Sequence, residues 1–222
     1  LDPPEVREVR AHYHAKCALI DSYVGRLVTT LKARGIEDDT VIVFTSDHGD
    51  CLGDFGVFDK RYFYECSVGV PLLLSGPGIP INDRGNGPRV SKMLASHLDL
   101  YPTLLGMAGA PVPRDARRPG RDLLAMLKGQ SPGHDAVFAE LATAIMVRTG
   151  NWKMVYDPQQ GGVQQLYNLA VDPQELQNLA GVPGYENVVR DLLERMLAHK
   201  IRQNQSTHVK EEQRLQRVHI PF

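Results

Sequence analysis

The feature that most limits the fold of this sequence is a short apolar run that ends close to two polar, metal-competent residues. The run covers residues 41–44, and Asp47 and His48 follow it after two small polar residues. Its β-branched and aromatic side chains predict a buried strand over residues 41–45. In open α/β sheets, ligands bind beyond the carboxyl ends of the strands. The pattern therefore favours an α/β fold with a metal or catalytic site at this strand tip.

The residues on either side of this strand predict further elements of an α/β unit. Upstream, apolar residues recur at alternating spacings of three and four, which predicts a helix of about 29 residues ended by Gly35. Downstream, residues 70–74 predict a second buried strand, and residues 96–108 predict a helix with Asp99 and Thr103 near its start. The recurring apolar residues of the first helix are Val6, Val9, Tyr13, Cys17, Ile20, Val24, Leu27 and Leu31.

The second half of the sequence predicts a small α+β layer. A proline- and arginine-rich connector at residues 111–119 and a helix at residues 121–128 precede a set of short strands and one helix. The polar residues 202–222 are predicted to form a tail or arm. The predicted domains are therefore residues 1–128, residues 129–201 and this tail. The strands are predicted at residues 136–141, 143–149, 152–156 and 164–167, and the helix at residues 186–201.

Composition and charge argue against two classes of partner. The 222 residues carry a net charge of -1 without a long basic block, so neither nucleic acid nor a membrane surface is predicted as a partner. The longest apolar runs have about five residues, against the roughly 20 that a membrane-spanning helix needs. Three widely spaced cysteines do not predict a disulfide framework. Reduced thiols favour a cytoplasmic location.

Asp47 and His48 are candidate metal ligands on chemical grounds. A carboxylate at a strand tip is a hard oxygen ligand for a divalent cation, and imidazole moves the preference from calcium towards manganese or zinc. Taken as an isolated pair, the two residues are explained equally well as a helix-capping aspartate and a solvated loop histidine. Gly49 is predicted to let the backbone approach an ion or adopt a positive φ.

Other polar residues are assigned structural roles. Asp50 and Asp54 are predicted to shape the loop at residues 51–67 through backbone hydrogen bonds. Asp99 is predicted to begin a helix, and Cys51 to be a packed thiol. The remaining histidines show no metal-binding spacing; they include His12, His14, His134, His199, His208 and His219.

A longer pattern surrounds the Asp-His pair. It runs from Ser-Asp-His-Gly-Asp at residues 46–50 through Lys60 and the Tyr-Glu pair at residues 64–65 to a Val-Pro-Leu strand that ends in Gly-Pro-Gly at residues 76–78. In this order and spacing the sequence resembles the sulfatase family of the alkaline-phosphatase superfamily. The resemblance continues downstream through residues 96–105, 119–124 and 166–179.

The resemblance implies a fold, a metal centre and an anion-binding lysine. The expected fold class is α/β, part of an alkaline-phosphatase-like sheet sandwiched by helices, followed by the small α+β C-terminal subdomain. Asp47 and His48 would ligate a divalent metal ion, calcium or manganese. Lys60 would contact the sulfate or phosphate group and stabilise charge that develops in the transition state. Phe55 stands where the family usually has histidine, so any role of that histidine is lost.

The motifs of the family's N-terminal half are missing from this sequence. That half carries two aspartate metal ligands and a Cys-x-Pro-Ser-Arg segment, whose cysteine is oxidised to the formylglycine nucleophile. None of Cys17, Cys51 and Cys66 lies in such a segment. The resemblance thus implies the C-terminal half of a split active site, with formylglycine expected in the missing N-terminal half. The expected protein partner is that half or another copy of the chain.

The predicted function is the C-terminal portion of a metal-dependent sulfuric-ester hydrolase that acts on a small sulfate or phosphate ester. A phosphonate or phosphodiester hydrolase of the same superfamily is an alternative, because it shares the Asp-His pair and the lysine. A non-catalytic module that packs on a partner is the alternative from another class. The chain by itself is expected to be inactive, since it lacks the nucleophile.

Overall fold

The chain consists of two compact units, Leu1–Ile79 and Pro80–Phe222. A computed structural model describes the backbone of residues 3–80, 90–111 and 120–216, and side chains as far as residue 204. The domain boundaries predicted at residues 128 and 201 stay predictions.

The first unit opens with a long helix. Helix α1 (Pro4–Ala33) begins at a proline, whose fixed φ suits the first helical turn. It ends before Gly35, which adopts a φ of 66° that a residue with a side chain would reach only under strain. A 3₁₀ turn at Glu37–Asp39 leads from the helix towards the first strand. The predicted helix and its glycine stop are confirmed.

Two strands of the first unit form a small sheet. Strand β1 (Ile42–Thr45) and strand β2 (Leu72–Ser75) pair antiparallel over all four residues. Both strands lie within a residue or two of their predicted positions. Gly76 follows β2 and lies so close to the backbone of Thr40 that a side chain at this position would overlap it.

The segment between β1 and β2 is mostly irregular, as predicted. It contains a 3₁₀ turn at Asp54–Gly56 and one short helix, α2 (Glu65–Val68). The buried residues of the first unit, among those described, all belong to this segment, and they are Cys51, Phe63 and Ser67.

The second unit begins with two short helices. Helix α3 (Leu100–Met107) continues from a 3₁₀ turn that starts after Ser96. Ser96 and Asp99 form a capping box, in which the Ser96 N–H donates to Asp99 Oδ2 at 2.8 Å. Helix α4 (Leu123–Leu127) is capped by Asp122, which accepts from the Leu124 N–H at 2.8 Å. The predicted helix-start role of Asp99 is confirmed.

Four strands follow in a meander, each antiparallel to the next, in the order β3-β4-β5-β6. Short turns connect the strands, as is usual for antiparallel neighbours. All four strands were predicted from the sequence, and the last is longer than expected. Their bounds are β3 (Val137–Leu141), β4 (Ala144–Arg148), β5 (Trp152–Asp157) and β6 (Gly162–Asn168).

The core of the second unit lies between this sheet and the last helix, α5 (Glu186–Gln216). Trp152 and Tyr156, predicted as core of the sheet, are partly buried and pack against it. Lys153 neighbours Met154 in β5 and so points to the opposite face of the sheet, where it forms a buried ion pair with Glu175; the two side chains are 0% and 1% exposed. The buried apolar residues of the core are Ile145, Val147, Met154, Leu166, Leu179, Leu192 and Met196.

Helix α5 corrects one boundary of the sequence prediction. It was expected to end at residue 201, where the apolar pattern stops, but it continues to Gln216. The residues that follow 201 are largely Gln, Lys, Glu and Arg, which favour helix by intrinsic propensity without an apolar face. The first part of the predicted polar arm is therefore helical.

Three predicted segments lie wholly or mostly outside the described residues: the turn-rich stretch at residues 79–88, the connector at residues 111–119 and the end of the tail. Across the part of the chain that is described, no helix has the length and apolarity needed to cross a membrane.

Candidate metal and anion site

Strand β1 delivers the Asp-His pair to the start of the irregular segment. Ser46 follows the strand directly, and its hydroxyl donates to the His48 carbonyl at 2.8 Å. The His48 N–H donates in turn to Asp47 Oδ1 at 2.9 Å. These local bonds hold both side chains at the end of the strand, as the sequence predicted.

The ligand atoms of the pair face one another. His48 Nε2 lies 3.3 Å from Asp47 Oδ2, and the two side chains are 37% and 84% exposed. Metal–ligand bonds of about 2.0–2.2 Å to nitrogen and oxygen place neighbouring ligands of one ion at about this separation. The pair therefore fits two adjacent positions in the coordination sphere of a divalent cation.

The tautomer of His48 supports the same use. Its Nδ1 lies 2.8 Å from the Gly49 carbonyl oxygen, which can only accept a hydrogen bond. Nδ1 must then carry the proton, and in the neutral ring the lone pair is on Nε2, the atom that faces Asp47. A backbone carbonyl that fixes the ring in this way is a common support for metal-binding histidines.

The surroundings of Asp47 lower the pKa of its carboxyl. The hydrogen bond from the His48 N–H is the main cause that lowers its pKa below the ordinary value of 3.8. Desolvation opposes this effect, and the charge of Lys60, together with that of His48 when its ring is protonated, lowers the pKa further. Asp47 is thus a negatively charged oxygen donor at neutral pH, and the charge of Lys60 acts on it.

Lys60 reaches this neighbourhood through the fold of the irregular segment. Ser67 Oγ donates to the Lys60 carbonyl at 3.0 Å, and the Gly49 N–H donates to the Ser67 carbonyl at 2.7 Å. The Asp59 N–H donates to Asp50 Oδ1 at 3.2 Å, so the residue before Lys60 is also tied to the turn after β1. The lysine side chain is exposed and able to meet an anion from solvent.

Gly49 does not adopt a positive φ, which was one of the two roles predicted for it. It packs directly against the backbone carbonyl of Cys66, where a side chain would overlap. The glycine is required for the close approach of two parts of the segment. Its contact is with protein backbone, which the sequence pattern could not reveal.

The segment is anchored to α1 by an arginine that sequence reasoning missed. Arg10 Nε donates to the Leu52 carbonyl at 2.9 Å, and its Nη2 forms an ion pair with Asp54 Oδ1 at 2.7 Å. Asp50 accepts from the Leu52 N–H at 2.8 Å, as predicted for a loop-shaping residue. The carboxylate of Asp54 instead binds Arg10.

Phe55 stacks on Tyr64, with the ring centroids 3.9 Å apart and the planes 6° from parallel. It adopts a φ of 58°, uncommon for a residue with a bulky side chain. The position where the family usually has histidine is thus occupied by an aromatic contact within the segment.

A second histidine–carboxylate contact lies in the second unit and was not predicted. His134 Nε2 lies 2.9 Å from Oδ1 and 3.0 Å from Oδ2 of Asp99, which is fully buried. Asp99 also accepts from the Arg121 N–H at 2.7 Å. The carboxylate joins three parts of the unit, and this network serves its packing.

The described residues contain no group of three or more His, Cys, Asp or Glu side chains that could together hold a metal ion. Asp47 and His48 supply two donors, whereas divalent sites generally use four or more. A metal bound at this pair would need further ligands from elsewhere.

Comparison with known proteins identifies the family. The protein-family model for N-sulphoglucosamine sulphohydrolase, C-terminal, matches residues 53–203 of the sequence. The chain belongs to the sulfatase family. It is similar to the C-terminal part of these proteins, so the resemblance noted in the sequence is confirmed.

Two relatives and one solved structure show how much of a sulfatase-type protein the chain covers. It is 38% identical over 189 residues to choline-sulfatase of Rhizobium meliloti, and this match covers 80% of this chain and 34% of that protein. It is 34% identical over 191 residues to mouse arylsulfatase K, covering 79% and 33%. The phosphonate monoester hydrolase of Silicibacter pomeroyi superposes with a TM-score of 0.77 at 26% identity, covering 91% of this chain and 43% of that one.

This sulfatase chain therefore spans about a third of the length of the curated relatives that it matches. The structural likeness confirms the predicted fold class: α/β, part of an alkaline-phosphatase-like sheet, with a small α+β C-terminal subdomain. The roles of Asp47, His48 and Lys60 stay predictions.

Proposed function

We propose that this chain supplies the metal-binding and anion-binding side of the active site of a metal-dependent sulfuric-ester hydrolase. The main support is the approach of Asp47 Oδ2 and His48 Nε2 to 3.3 Å at the tip of β1. The sulfatase relatives support the class of reaction, the hydrolysis of a small sulfate ester.

Asp47 and His48 would hold a divalent cation, which when bound supplies Lewis-acid polarisation of the sulfate oxygens. Asp47 brings the negative charge of an exposed carboxylate, and His48 brings a nitrogen lone pair fixed by the Gly49 carbonyl. The combination of one imidazole with carboxylate favours manganese over calcium. The other ligands would come from the missing N-terminal half or from another copy of the chain.

Lys60 would bind a non-bridging oxygen of the sulfate group. The ammonium is exposed, and its charge acts on Asp47, so an anion bound between the cation and Lys60 would meet positive charge on both sides. Charge that develops on the sulfate oxygens in the transition state is stabilised by such an arrangement.

The nucleophile is proposed to come from the other half. In the sulfatase family this group is a formylglycine made from cysteine, and none of Cys17, Cys51 and Cys66 lies in the required Cys-x-Pro-Ser-Arg context. The 222-residue chain alone is therefore proposed to be inactive.

A phosphonate or phosphodiester hydrolase remains the second candidate. The likeness to the phosphonate monoester hydrolase, with a TM-score of 0.77, favours it specifically. The two activities need the same cation and lysine on this side of the site, so substrate assays have to separate them.

The test uses the protein that combines this chain with its nucleophile-bearing half. Lys60→Ala is expected to lower kcat/KM for an aryl sulfate by about 10²–10³-fold, because one stabilising charge is lost in the transition state. Asp47→Asn should lower activity and weaken manganese binding, measured by calorimetry. Lys128→Ala, which removes an exposed lysine after α4, is the matched control and should leave both unchanged.

Normal turnover in the Lys60→Ala and Asp47→Asn proteins would contradict the proposed roles. Faster hydrolysis of a phosphonate monoester than of the aryl sulfate would favour the second candidate. Turnover by the isolated chain, abolished by Lys60→Ala, would contradict the half-site proposal.

A further inference from the structure

Two cysteines of the irregular segment lie side by side in space. Cys66 Sγ is 2.8 Å from Cys51 Sγ, although the residues are fifteen positions apart in the sequence. Both are thiols in the structure. A disulfide has a sulfur–sulfur bond of about 2.05 Å, so a movement of less than an ångström separates this contact from a covalent link.

The backbone holds the two residues in this position. The Gly49 N–H donates to the Ser67 carbonyl at 2.7 Å, one residue past Cys66, and the Cys51 N–H donates to the Asp59 carbonyl at 3.3 Å. Gly49 also packs directly on the Cys66 carbonyl. The approach of the two thiols is therefore a property of the folded segment rather than of two flexible side chains.

We propose that Cys51 and Cys66 form a reversible disulfide that closes the segment carrying Lys60. The proposal concerns a modification site and does not depend on the function proposed above. The link would join the two ends of residues 52–65, which include the Phe55–Tyr64 stack. It would restrain the segment from opening.

The oxidant is a low-molecular-weight disulfide, and the chemistry is thiol–disulfide exchange. Cys66 is partly exposed and Cys51 is fully buried, so the Cys66 thiolate attacks the reagent first and expels one thiol. Cys51 then loses its proton to solvent and attacks Cys66 Sγ, which expels the second thiol. Two protein thiols are oxidised, and one disulfide reagent is reduced to two thiols.

The sequence offers a direct assay, because trypsin cleaves after Lys60 and Arg61, inside the closed loop. The full chain is incubated with oxidised glutathione, alkylated in denaturant and digested. The expected product is the peptide of residues 35–60 joined to the peptide of residues 62–84, which dithiothreitol separates. Recovery of the two peptides apart, with Cys51 alkylated, would overturn the proposal.

Variants separate the link from general thiol reactivity. Cys17→Ser, which changes an exposed cysteine of α1, should leave the linked peptides unchanged. Cys51→Ser should leave Cys66 as a stable mixed disulfide with glutathione, because the thiol that lies beside Cys66 has been removed. A wild-type chain that accumulates this mixed disulfide would also contradict the proposal. Should Cys51→Ser fail to fold, the wild-type peptide map still decides.

The restraint itself has a separate readout. Native trypsin should cleave after Lys60 and Arg61 several-fold more slowly in the oxidised chain than in the reduced chain, both for wild type and for Cys17→Ser. Equal cleavage rates in the two redox states of a chain shown to be linked would mean that the disulfide does not restrain the segment.

Discussion

The two units of the chain differ in how they bury apolar side chains. In the second unit the four-stranded sheet and α5 enclose a continuous core that includes Val147, Met154 and Leu166. In the first unit the described buried residues are confined to the segment between β1 and β2, and α1 has no buried residue. The candidate site therefore lies in the unit whose own buried core stabilises it less.

The exposed apolar residues of the first unit indicate what would complete it. Side chains of this kind lie along α1 and on both strands, and exposed apolar patches usually mark a surface that another chain or segment covers. This agrees with the proposed need for an N-terminal half or a second copy. The residues are Leu19, Ile20, Tyr23 and Leu27 on α1, with Phe44 and Leu73 on the strands.

The sharpest test of this contrast is to express the two units separately. The second unit, Pro80–Phe222, is expected to unfold in a single cooperative thermal transition, because it has its own core. The first unit, Leu1–Ile79, is expected to associate or to lack a transition. Circular dichroism and sedimentation would measure both. A stable monomeric first unit would remove the contrast.

Within the second unit, the largest single effect is expected at the buried ion pair. Lys153→Met should lower the free energy of unfolding by about 3–5 kcal/mol, since it removes the Lys153 ammonium from the buried Glu175 carboxylate. Chemical denaturation measures the change. The double variant Lys153→Met with Glu175→Gln should recover much of the loss, and Lys128→Met is the exposed control. A loss that persists in the double variant would point to packing as the cause.

A matched pair of leucines compares the units directly. Leu166→Ala in the core of the sheet should cost about 2–5 kcal/mol of unfolding free energy, because it opens a cavity. Leu73→Ala in β2, where the side chain is 57% exposed, should change it by no more than about 0.5 kcal/mol in this chain. In a protein completed by the missing half, the cost at Leu73 should rise. A constant small cost there would argue that nothing covers β2.

The smallest effect is expected from acidification and concerns His199 and Glu140. Burial lowers the pKa of His199 below its ordinary value of 6.5, although the charge of Glu140 opposes this. The hydrogen bond from Lys200 lowers the pKa of Glu140 below 4.5. Both groups bind protons less readily when folded, so their contributions are present at neutral pH.

The contribution of His199 should be lost as the pH falls below 6.5, and that of Glu140 as it falls below 4.5. Thermal melts of the full chain across this range would measure the decline. His199→Gln should remove the upper step, whereas His12→Gln on α1 should not. A stability that rises on acidification from pH 6.5 would contradict the assignment.

The sequence predicted most elements of the fold because their patterns are local. Each pattern can be recognised within about a dozen residues: the period of α1, the apolar runs of β1 and β2, and the four short strands. The end of α5 was placed too early, because its last turns depend on intrinsic helix propensity and not on an apolar face.

The contacts that hold the candidate site were not predictable, because they join distant residues. Arg10 meets Asp54 across 44 positions, and Cys51 meets Cys66 across 15. The Asp-His pair was recognised from its surrounding motif, whereas its supporting bonds depend on how the segment folds back on itself. His134 reached Asp99 across 35 positions for the same reason.

The contact between Arg10 and the irregular segment makes the loss of Arg10 and the loss of Asp54 unequal in their consequences. The bond from Arg10 Nε goes to the Leu52 carbonyl, which is present whatever residue occupies that position. A lineage that loses Asp54 therefore keeps the bond to the Leu52 carbonyl, while a lineage that loses Arg10 first gives up this bond and the ion pair with Asp54 together. Substitution of Asp54 is therefore expected to be tolerated in relatives that keep Arg10.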